Sequence, residues 1–583
     1  MKKHNVALIG LGPHAKRIYL NYFKHHKGKV DLTLVVDVKS KEQEIREYLD
    51  ANNFNTTKIY TIDDENKDDK HLTKKESLCL IKICDTLKIS HMLISTEPKA
   101  HNMYIEFALK NNINVLTDKP ITVGKNMTNK NNIEQIKKDY YNILKLANES
   151  KAICKVMCQR QYHKGYIYVK NLLDEVVKKY QIPITYIDIY HCDGNWEMPH
   201  DLDKENHPYK YGYGKLFHSG YHFIDLLSDF IKINRQLPNS KKITTGEVFS
   251  NCFTPNDELG VFNTDDYLRI FNEQEIPQFY HENNKMNFKK YGEKNYYGML
   301  KLKNSYNQTI TNVNLNLLHY GFSRRGWIKS KDYYKKNGRI RHERINIQVG
   351  PLLNIQIHSY QSKEIKDITN EEEMVGGLEH YDIDIYRNVD IIGGKPFERI
   401  KLGDLYTEKE KKNMLGYNEL SRDMFLNNFF NNKCEKGDIK DQALAIEILK
   451  NCALGISNHY NNKEKVEKFS LDNQYIYPIT IDDLKNYSNP ILKNEDKDVK
   501  NYISIRGNDF NYGVNLNYIK NKGIYEIYAF VESESKIASN LFGKSCKYKL
   551  GAIIYFILLK NIIKLTNIRL IYKLLNKKTL HKK

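Results

Sequence analysis

An apolar run that breaks into a glycine turn close to the N-terminus constrains this chain more than any other feature. Val6-Ala7-Leu8-Ile9 reads as a buried strand, and Gly10-Leu11-Gly12-Pro13-His14-Ala15 follows with the spacing G-x-G-x-x-A. In such a turn the first glycine permits the sharp bend and the second lets a pyrophosphate approach the backbone. The small third residue lets the next helix pack closely on the strand. Pro13 suits a first helical position, where no hydrogen bond is lost and neighbouring N–H groups stay free for an anion. A second apolar run, Leu32-Thr33-Leu34-Val35-Val36, ends in Asp37. A carboxylate there can accept both ribose hydroxyls of an adenosine and repels a 2′-phosphate, which favours NAD; Lys39 and Lys41 leave NADP open. These residues predict a dinucleotide-binding, doubly wound α/β domain in which Gly10, Gly12, Pro13, His14, Ala15 and Asp37 surround the cofactor.

The alternation that follows supports a parallel sheet with helices on both faces. Lys41 to Leu49 has helical spacing, the polar stretch Asp63 to Lys75 reads as a solvated loop, and Leu78 to Leu87 is helical again. Ile89 to Thr96 is the next buried strand, ending in Glu97-Pro98, and a helix from Ala100 to Asn111 leads to the strand Ile113 to Thr117. That strand runs into Asp118-Lys119-Pro120, and a helix from Asn132 to Ser150 closes the domain at residues 1–150. Ligands of open α/β sheets bind just past such strand ends. Lys119 is therefore placed to point into the crevice, where an ammonium can polarise a hydroxyl or carbonyl oxygen.

A chain of 583 residues has room for two to four domains. Its net charge of +20 is spread along the whole sequence rather than gathered into a patch, so no nucleic-acid partner is expected. Nine scattered cysteines without a C-x-x-C pair point to neither a disulfide framework nor a zinc ribbon. The first strand begins without a charged and apolar leader, which reads as a cytoplasmic protein.

With Asp118-Lys119-Pro120 the chain resembles the Gfo/Idh/MocA oxidoreductases, a family that includes glucose-fructose oxidoreductase and inositol dehydrogenase. The resemblance runs over roughly residues 1–460 and rests on five motifs in the family's order. These are the glycine turn, Ser95-Thr96-Glu97-Pro98 with His101, Asp118-Lys119-Pro120 in place of Glu-Lys-Pro, Val156 to His163, and Gly214 to Asp225. It implies that Ser95, Thr96, Glu97, His101 and Lys119 border the cofactor and that Lys119 also touches substrate. It further implies catalysis by His222, with His218 standing where the family usually has an aspartate.

A second domain, residues 151–460, is expected to open with Ala152 to Cys158 crossing out of the first, a helix from Tyr162 to Lys179 and a strand from Ile184 to His191. The loop Cys192 to Tyr213 is rich in His, Asp, Trp and Tyr, which suits a sugar-like ligand: rings cover C–H faces while polar groups bond hydroxyls. Arg160, Tyr162, Trp196 and Tyr221 are the candidates for substrate contact. If Gly214 to Asp225 is helical, His218, His222 and Asp225 share one face at i, i+4 and i+7. Three readings stand there: a catalytic pair of histidines, a metal site, or a buried structural hydrogen bond. No metal is expected for the family's reaction.

From Lys242 the pattern becomes β, with candidate strands at 246–253, 297–303, 308–318, 340–349 and 353–360, matching the family's large, mainly antiparallel open sheet. One face of that sheet usually builds a dimer interface, which implies a homo-oligomer. Tyr381 to Val389 and Ala443 to Ile456 read as helices. Residues 461–583 lie outside the resemblance; Tyr475 to Tyr477, Ile503 to Ile505 and Tyr525 to Tyr528 read as short strands. The tail from Gly543 holds eleven Lys or Arg and no acid, and its uncharged run Leu550 to Leu559 is too short to span a bilayer. Peripheral contact with a membrane is what such a basic amphipathic tail allows. The function these readings imply is an NAD(P)-dependent oxidoreductase acting on the CH–OH group of a sugar, nucleotide-linked sugar or cyclitol. The alternative class is a non-catalytic dinucleotide- or sugar-sensing protein on the same fold.

Overall fold

A computed structural model describes residues 3–196, 202, 209–263, 265–266, 269, 288, 290–321, 341–361, 380–408, 410, 417–433, 435–463, 465–471, 502–507, 510–519, 524–533 and 546–548. Residues 1–474 and 475–583 form two compact units.

The first unit opens with six parallel strands, β1 (His4–Ile9), β2 (Val30–Val38), β3 (Lys58–Ile62), β4 (His91–Ile94), β5 (Asn114–Thr117) and β6 (Cys154–Val156), in the order β3-β2-β1-β4-β5-β6. Between them run α1 (Pro13–Arg17), α2 (Tyr19–His25), α3 (Glu42–Ala51), α4 (Lys74–Thr86), α5 (His101–Lys110) and α6 (Lys130–Glu149). The apolar run in β1 is continuous because both faces are covered: Val6 and Leu8 belong to one core cluster, Ala7 and Ile9 to another. Strand order reverses about β1 and β4, which leaves a crevice beyond their carboxyl ends. Helix α4 starts earlier than its apolar spacing indicates, inside the expected loop. Thr73 and Glu76 form a reciprocal capping box that satisfies its first backbone donors.

After α7 (Lys164–Tyr180) comes a nine-stranded sheet built from β7 (Ile184–Asn195), β8 (Thr245–Phe253), β9 (Asn295–Lys303), β10 (Thr309–Tyr320), β11 (Arg341–Val349), β12 (Leu353–Gln361), β13 (His380–Arg387), β14 (Phe397–Lys401) and β15 (Glu467–Ser470). Its order is β14-β13-β12-β11-β7-β10-β9-β8-β15, with β7 and β10 parallel and the other pairs antiparallel. Ile187, Ile189, Leu315, Leu317, Ile345 and Ile347 are fully buried while Asn314, Asn316 and Asn346 alternate with them at partial exposure. This is the period of a sheet covered on one face. The remaining α-helices among the described residues are α8 (Tyr221–Ile233), α9 (Pro255–Val261), α10 (Val389–Ile392), α11 (Tyr417–Phe430) and α12 (Ala443–Tyr460). Helix α12 is buried from Leu444 to Ser457 because it is enclosed by α6, α8 and β8.

One expectation is corrected here, and one conditional reading falls. Tyr381 to Val389 is not a helix but most of strand β13, where His380 to Ile385 are all buried, Tyr381, Ile383 and Ile385 in the apolar core and Asp384 paired with Arg399 of β14. Gly214 to Gly220 is not helical either. A side chain on Gly214 would collide with Glu293, whose backbone nitrogen lies 2.3 Å from the Cβ position, and Glu293 Oε1 accepts the Leu216 N–H at 2.7 Å. The helix starts only at Tyr221, so His218, His222 and Asp225 do not form one helical stripe.

The second unit contains β16 (Tyr502–Gly507), β17 (Phe510–Ile519), β18 (Ile524–Ser533) and β19 (Cys546–Tyr548), an antiparallel sheet in that order. The expected strands 503–505 and 525–528 fall within β16 and β18. Tyr475 to Tyr477 and the apolar run Leu550 to Leu559 lie outside the described residues. No described helix is long and apolar enough to cross a membrane.

Candidate active site

The glycine turn follows β1 directly. Gly10 has φ +85°, and a Cβ on it would lie 2.7 Å from the Ser95 carbonyl oxygen and 2.9 Å from Thr96 Cγ2, so the ends of β1 and β4 touch only because this residue has no side chain. Gly12 is extended, and a Cβ there would meet nothing within 4 Å. The space over its backbone is thus open to a phosphate, while Ala15 is fully buried where α1 packs on the sheet. Pro13 holds the first position of α1 and is exposed beside His14. Asp37 closes the turn from β2: its Oδ2 accepts the Leu11 N–H and its Oδ1 the Val38 N–H, each at 2.8 Å. The carboxylate is fixed at the mouth of the turn with lone pairs left for a ribose. These residues fit a bound dinucleotide.

Deeper in the crevice, Asp118 accepts Tyr19 Oη at 2.5 Å and Ser95 Oγ at 2.7 Å, with His14 Nε2 at 3.7 Å. This joins α1, α2, β4 and β5 at one carboxylate. His101 is fully buried, with Nδ1 2.9 Å from the Pro120 carbonyl and Nε2 3.1 Å from that of Thr96. Its position clamps the two strand ends together through those carbonyls. Thr96 Oγ1 donates to the Glu97 carbonyl at 3.3 Å, and Glu97 precedes the short turn Pro98–Ala100.

Lys119 connects the two sheets' territories. Its Nζ donates to the His218 carbonyl at 2.6 Å, so the strand end after β5 meets the turn before α8. Burial lowers the ammonium to about 8 against the opposing pull of Asp118 and Asp193. His222, on the first turn of α8, has Nε2 3.5 Å from Gln159 Nε2 and a buried Nδ1 without a hydrogen-bond partner. Burial, then the cations Lys119 and Arg160, push this imidazole well below its ordinary range, so it is neutral at pH 7. Asp225 is spent internally: Gln161 Nε2 reaches both its oxygens at 2.9 Å and Gln442 Nε2 reaches Oδ1 at 2.8 Å.

The four substrate candidates divide. Arg160 makes a two-pronged pair with Glu343, at 2.8 and 2.5 Å, donates to Tyr166 Oη at 2.8 Å and lies over the Phe223 ring. Burial works against the Glu343 charge, but the guanidinium outweighs it and holds that carboxyl at about 2. Trp196, just after β7, stands edge-on to Phe262. Tyr221 is fully buried with its hydroxyl on Gln442, and Tyr162 packs edge-on against Phe425 of α11. For these two tyrosines direct substrate contact is corrected to a packing role, since their surfaces are consumed by the core.

Sequence reasoning missed the carboxylates behind the site, although β7 carries a signal for them. Ile187, Ile189, His191, Asp193 and Asn195 share its buried side, a row that changes from apolar to polar as it nears the crevice. Asp193 bonds Lys215 Nζ at 2.5 Å and Ser219 Oγ at 2.7 Å, with His319 Nδ1 at 3.3 Å. Arg422, from α11, lies close enough to act electrostatically on His14, Lys119 and His222 together. Nothing local in the sequence brings α11 to this point.

No curated protein sequence matches the chain. Among solved structures it is similar to an oxidoreductase domain protein from Kribbella flavida, at 11% identity over 81% of this chain and 100% of that one, TM-score 0.49. It is also similar to the WlbA dehydrogenase from Bordetella pertussis in complex with NADH and UDP-GlcNAcA, at 10% identity over 81% and 98% of the two chains, TM-score 0.46. A third is a myo-inositol dehydrogenase from Corynebacterium glutamicum, at 11% identity over 81% and 99%, TM-score 0.42. Residues 4–157 match the model of the Gfo/Idh/MocA oxidoreductase family, described as an oxidoreductase family with an NAD-binding Rossmann fold.

Proposed function

We propose that the chain is an NAD-dependent oxidoreductase that interconverts a hydroxyl and a carbonyl on a sugar, nucleotide-linked sugar or cyclitol. The observation that carries this is the 2.6 Å bond from Lys119 Nζ to the His218 carbonyl, which brings the lysine of the dinucleotide-binding domain to the turn that leads into His222. Gly10, Gly12, Ala15 and Asp37 would hold the dinucleotide, which when bound supplies the hydride acceptor or donor. The chain's own part is proton handling. Lys119 as an ammonium polarises the reacting oxygen, and neutral His222 takes the proton of an alcohol or, once protonated, returns it to a carbonyl. With Lys119 at about 8, alcohol oxidation loses rate as pH rises through that value because the ammonium is lost. Arg160 and Trp196 are the side chains we propose to border the substrate, the first fixed in place by Glu343.

The test is a panel of sugars, nucleotide-linked sugars and cyclitols followed by nicotinamide absorbance, with Lys119→Ala and His222→Ala beside the wild type. Each variant is expected to lose about 10²–10⁴ in turnover while keeping its NAD affinity. Wild-type rates in both variants, or a protein that binds NADH yet turns over nothing in the panel, would overturn the reading.

A further inference from the structure

We propose that Asp193 is a positioning residue for Lys119: through Lys215 and Ser219 it fixes the turn 214–220 so that the His218 carbonyl holds the lysine ammonium in the crevice. The inference rests on Lys119 belonging to the site proposed above. Lys215 is fully buried, and its Nζ lies 2.5 Å from Asp193 Oδ2, 2.7 Å from Ser219 Oγ and 2.8 Å from His191 Nδ1. Ser219 Oγ in turn donates to the same Asp193 oxygen at 2.7 Å. One carboxylate on β7 therefore gathers the first and fifth side chains of a five-residue stretch, Lys215 to Ser219. The backbone of that stretch is closed by Gly220 N–H on the Lys215 carbonyl at 3.0 Å and His218 N–H on the Gly214 carbonyl at 3.2 Å. The His218 carbonyl lies inside this closed stretch.

A buried ion pair is weak support for stability, because the desolvation of both charges offsets most of their attraction. Removing the fixed turn would instead cost orientation, which is what a proton-handling lysine needs. Burial opposes the Asp193 charge, but Lys215 outweighs it and holds the carboxyl well below its usual range, so the tether persists through neutral pH. The groups that face Lys119 are Asp118 beside it, His14 of α1, His101 of α5, Cys158 after β6, Asp193 of β7, His222 of α8 and Arg422 of α11. Asp118 and Asp193 are the carboxylates among them, and Asp118 is already engaged by Tyr19 and Ser95.

The experiment is competitive labelling of the full-length chain with trace acetic anhydride over a pH series, reading Lys119 acetylation by peptide mass spectrometry. Wild-type Lys119 should label with a midpoint near 8. In Asp193→Asn the midpoint should fall by about half a pH unit through loss of the carboxylate, and the plateau rate should rise severalfold as the turn loosens. Ser219→Ala keeps both charges, so it should raise the plateau rate to a lesser degree with the midpoint unmoved. Lys155, buried beside Asp438 on β6, serves as the reference for general loosening and should not change. If Asp193→Asn fails to fold, the Ser219→Ala rate decides alone. An unchanged rate in Ser219→Ala, or an unchanged rate and midpoint in folded Asp193→Asn, would overturn the proposal. Protection of wild-type Lys119 by NADH tests the parent reading separately, since its absence would remove Lys119 from the cofactor crevice whatever the variants do.

Discussion

The glycine turn separates binding from stability in a way that two single substitutions expose. Gly12 has φ −77° and ψ −178°, backbone that valine adopts readily, and its Cβ would meet nothing within 4 Å. Gly12→Val should therefore leave unfolding free energy within about 0.5 kcal/mol of wild type. The space its isopropyl group fills is the open approach to the backbone, so NADH affinity should fall at least about a hundredfold, or about 2.8 kcal/mol. Gly10→Ala does the reverse. Its φ of +85° costs about 1–2 kcal/mol for an L-residue, and a Cβ 2.7 Å from the Ser95 oxygen adds about 1–3 kcal/mol of overpacking. Calorimetric titration with NADH, run beside urea unfolding, reads both quantities. NADH binding by folded Gly12→Val within about threefold of wild type would refute the placement of the pyrophosphate, about 0.6 kcal/mol being too little for a blocked approach.

Asp37→Ala should narrow the preference for NAD over NADP in the same titration and lower stability slightly through the freed Leu11 N–H; tighter NADP binding by the wild type would contradict the role given to Asp37. Glu343→Gln strips the buried Arg160 of its counter-charge and should cost about 3–5 kcal/mol in urea unfolding. Because the folded-state carboxyl is held at about 2 against an ordinary 4.5, this contribution is present above pH 4.5 and is lost as pH falls toward 2, which acid titration of the variant and wild type compares. Glu293 has the opposite sign: burial lifts it to about 8, so its contribution is full below 4.5 and is lost as pH rises toward 8. Glu293→Gln should accordingly stabilise the chain at pH 7 by about 1–3 kcal/mol, and a lower urea midpoint there would contradict a protonated carboxyl.

The first sheet was legible because each of its signals is local. An apolar run, a glycine spacing and an acid at a strand end are set by residues within a few positions of one another, and β1, β2, β4 and β5 form where those runs lie. The second sheet was legible where alternation was strict, as in Ile345-Asn346-Ile347, and misread at β13. Tyr381 to Val389 was read as a helix although its acids alternate with apolar residues as in a strand, and the partner that buries Asp384, Arg399, comes from the neighbouring strand. The turn 214–220 could be read from sequence only conditionally, for a similar reason. Its conformation depends on Glu293, seventy-odd positions away, and no spacing within the turn announces that partner. Arg160 is the clearest case at the site: its residue type is plain in the sequence, but its two-pronged pairing with Glu343 on β11 is not.

Beyond the turn 214–220, packing braces the surroundings of Lys119, because late segments of the first unit return to the N-terminal sheet. Phe425, Leu426, Phe429 and Phe430 of α11 share a core cluster with Val6, Leu8, Ala15 and Tyr19, and Tyr22 Oη donates to Asn427 Oδ1 at 3.0 Å. The edge strand β6 is engaged from the same side: Val156 N–H donates to the Gly437 carbonyl at 2.8 Å and Lys155 Nζ pairs with Asp438 at 2.9 Å. Tyr140 of α6 then donates to the Ile439 carbonyl at 2.9 Å. Interiors packed this closely transmit small displacements instead of absorbing them. The strand-end Lys119 and the turn that leads into the helix carrying His222 are therefore braced against one another rather than resting on free loops. The same bracing delivers Arg422, two turns before the end of α11, to the group of charges around Lys119.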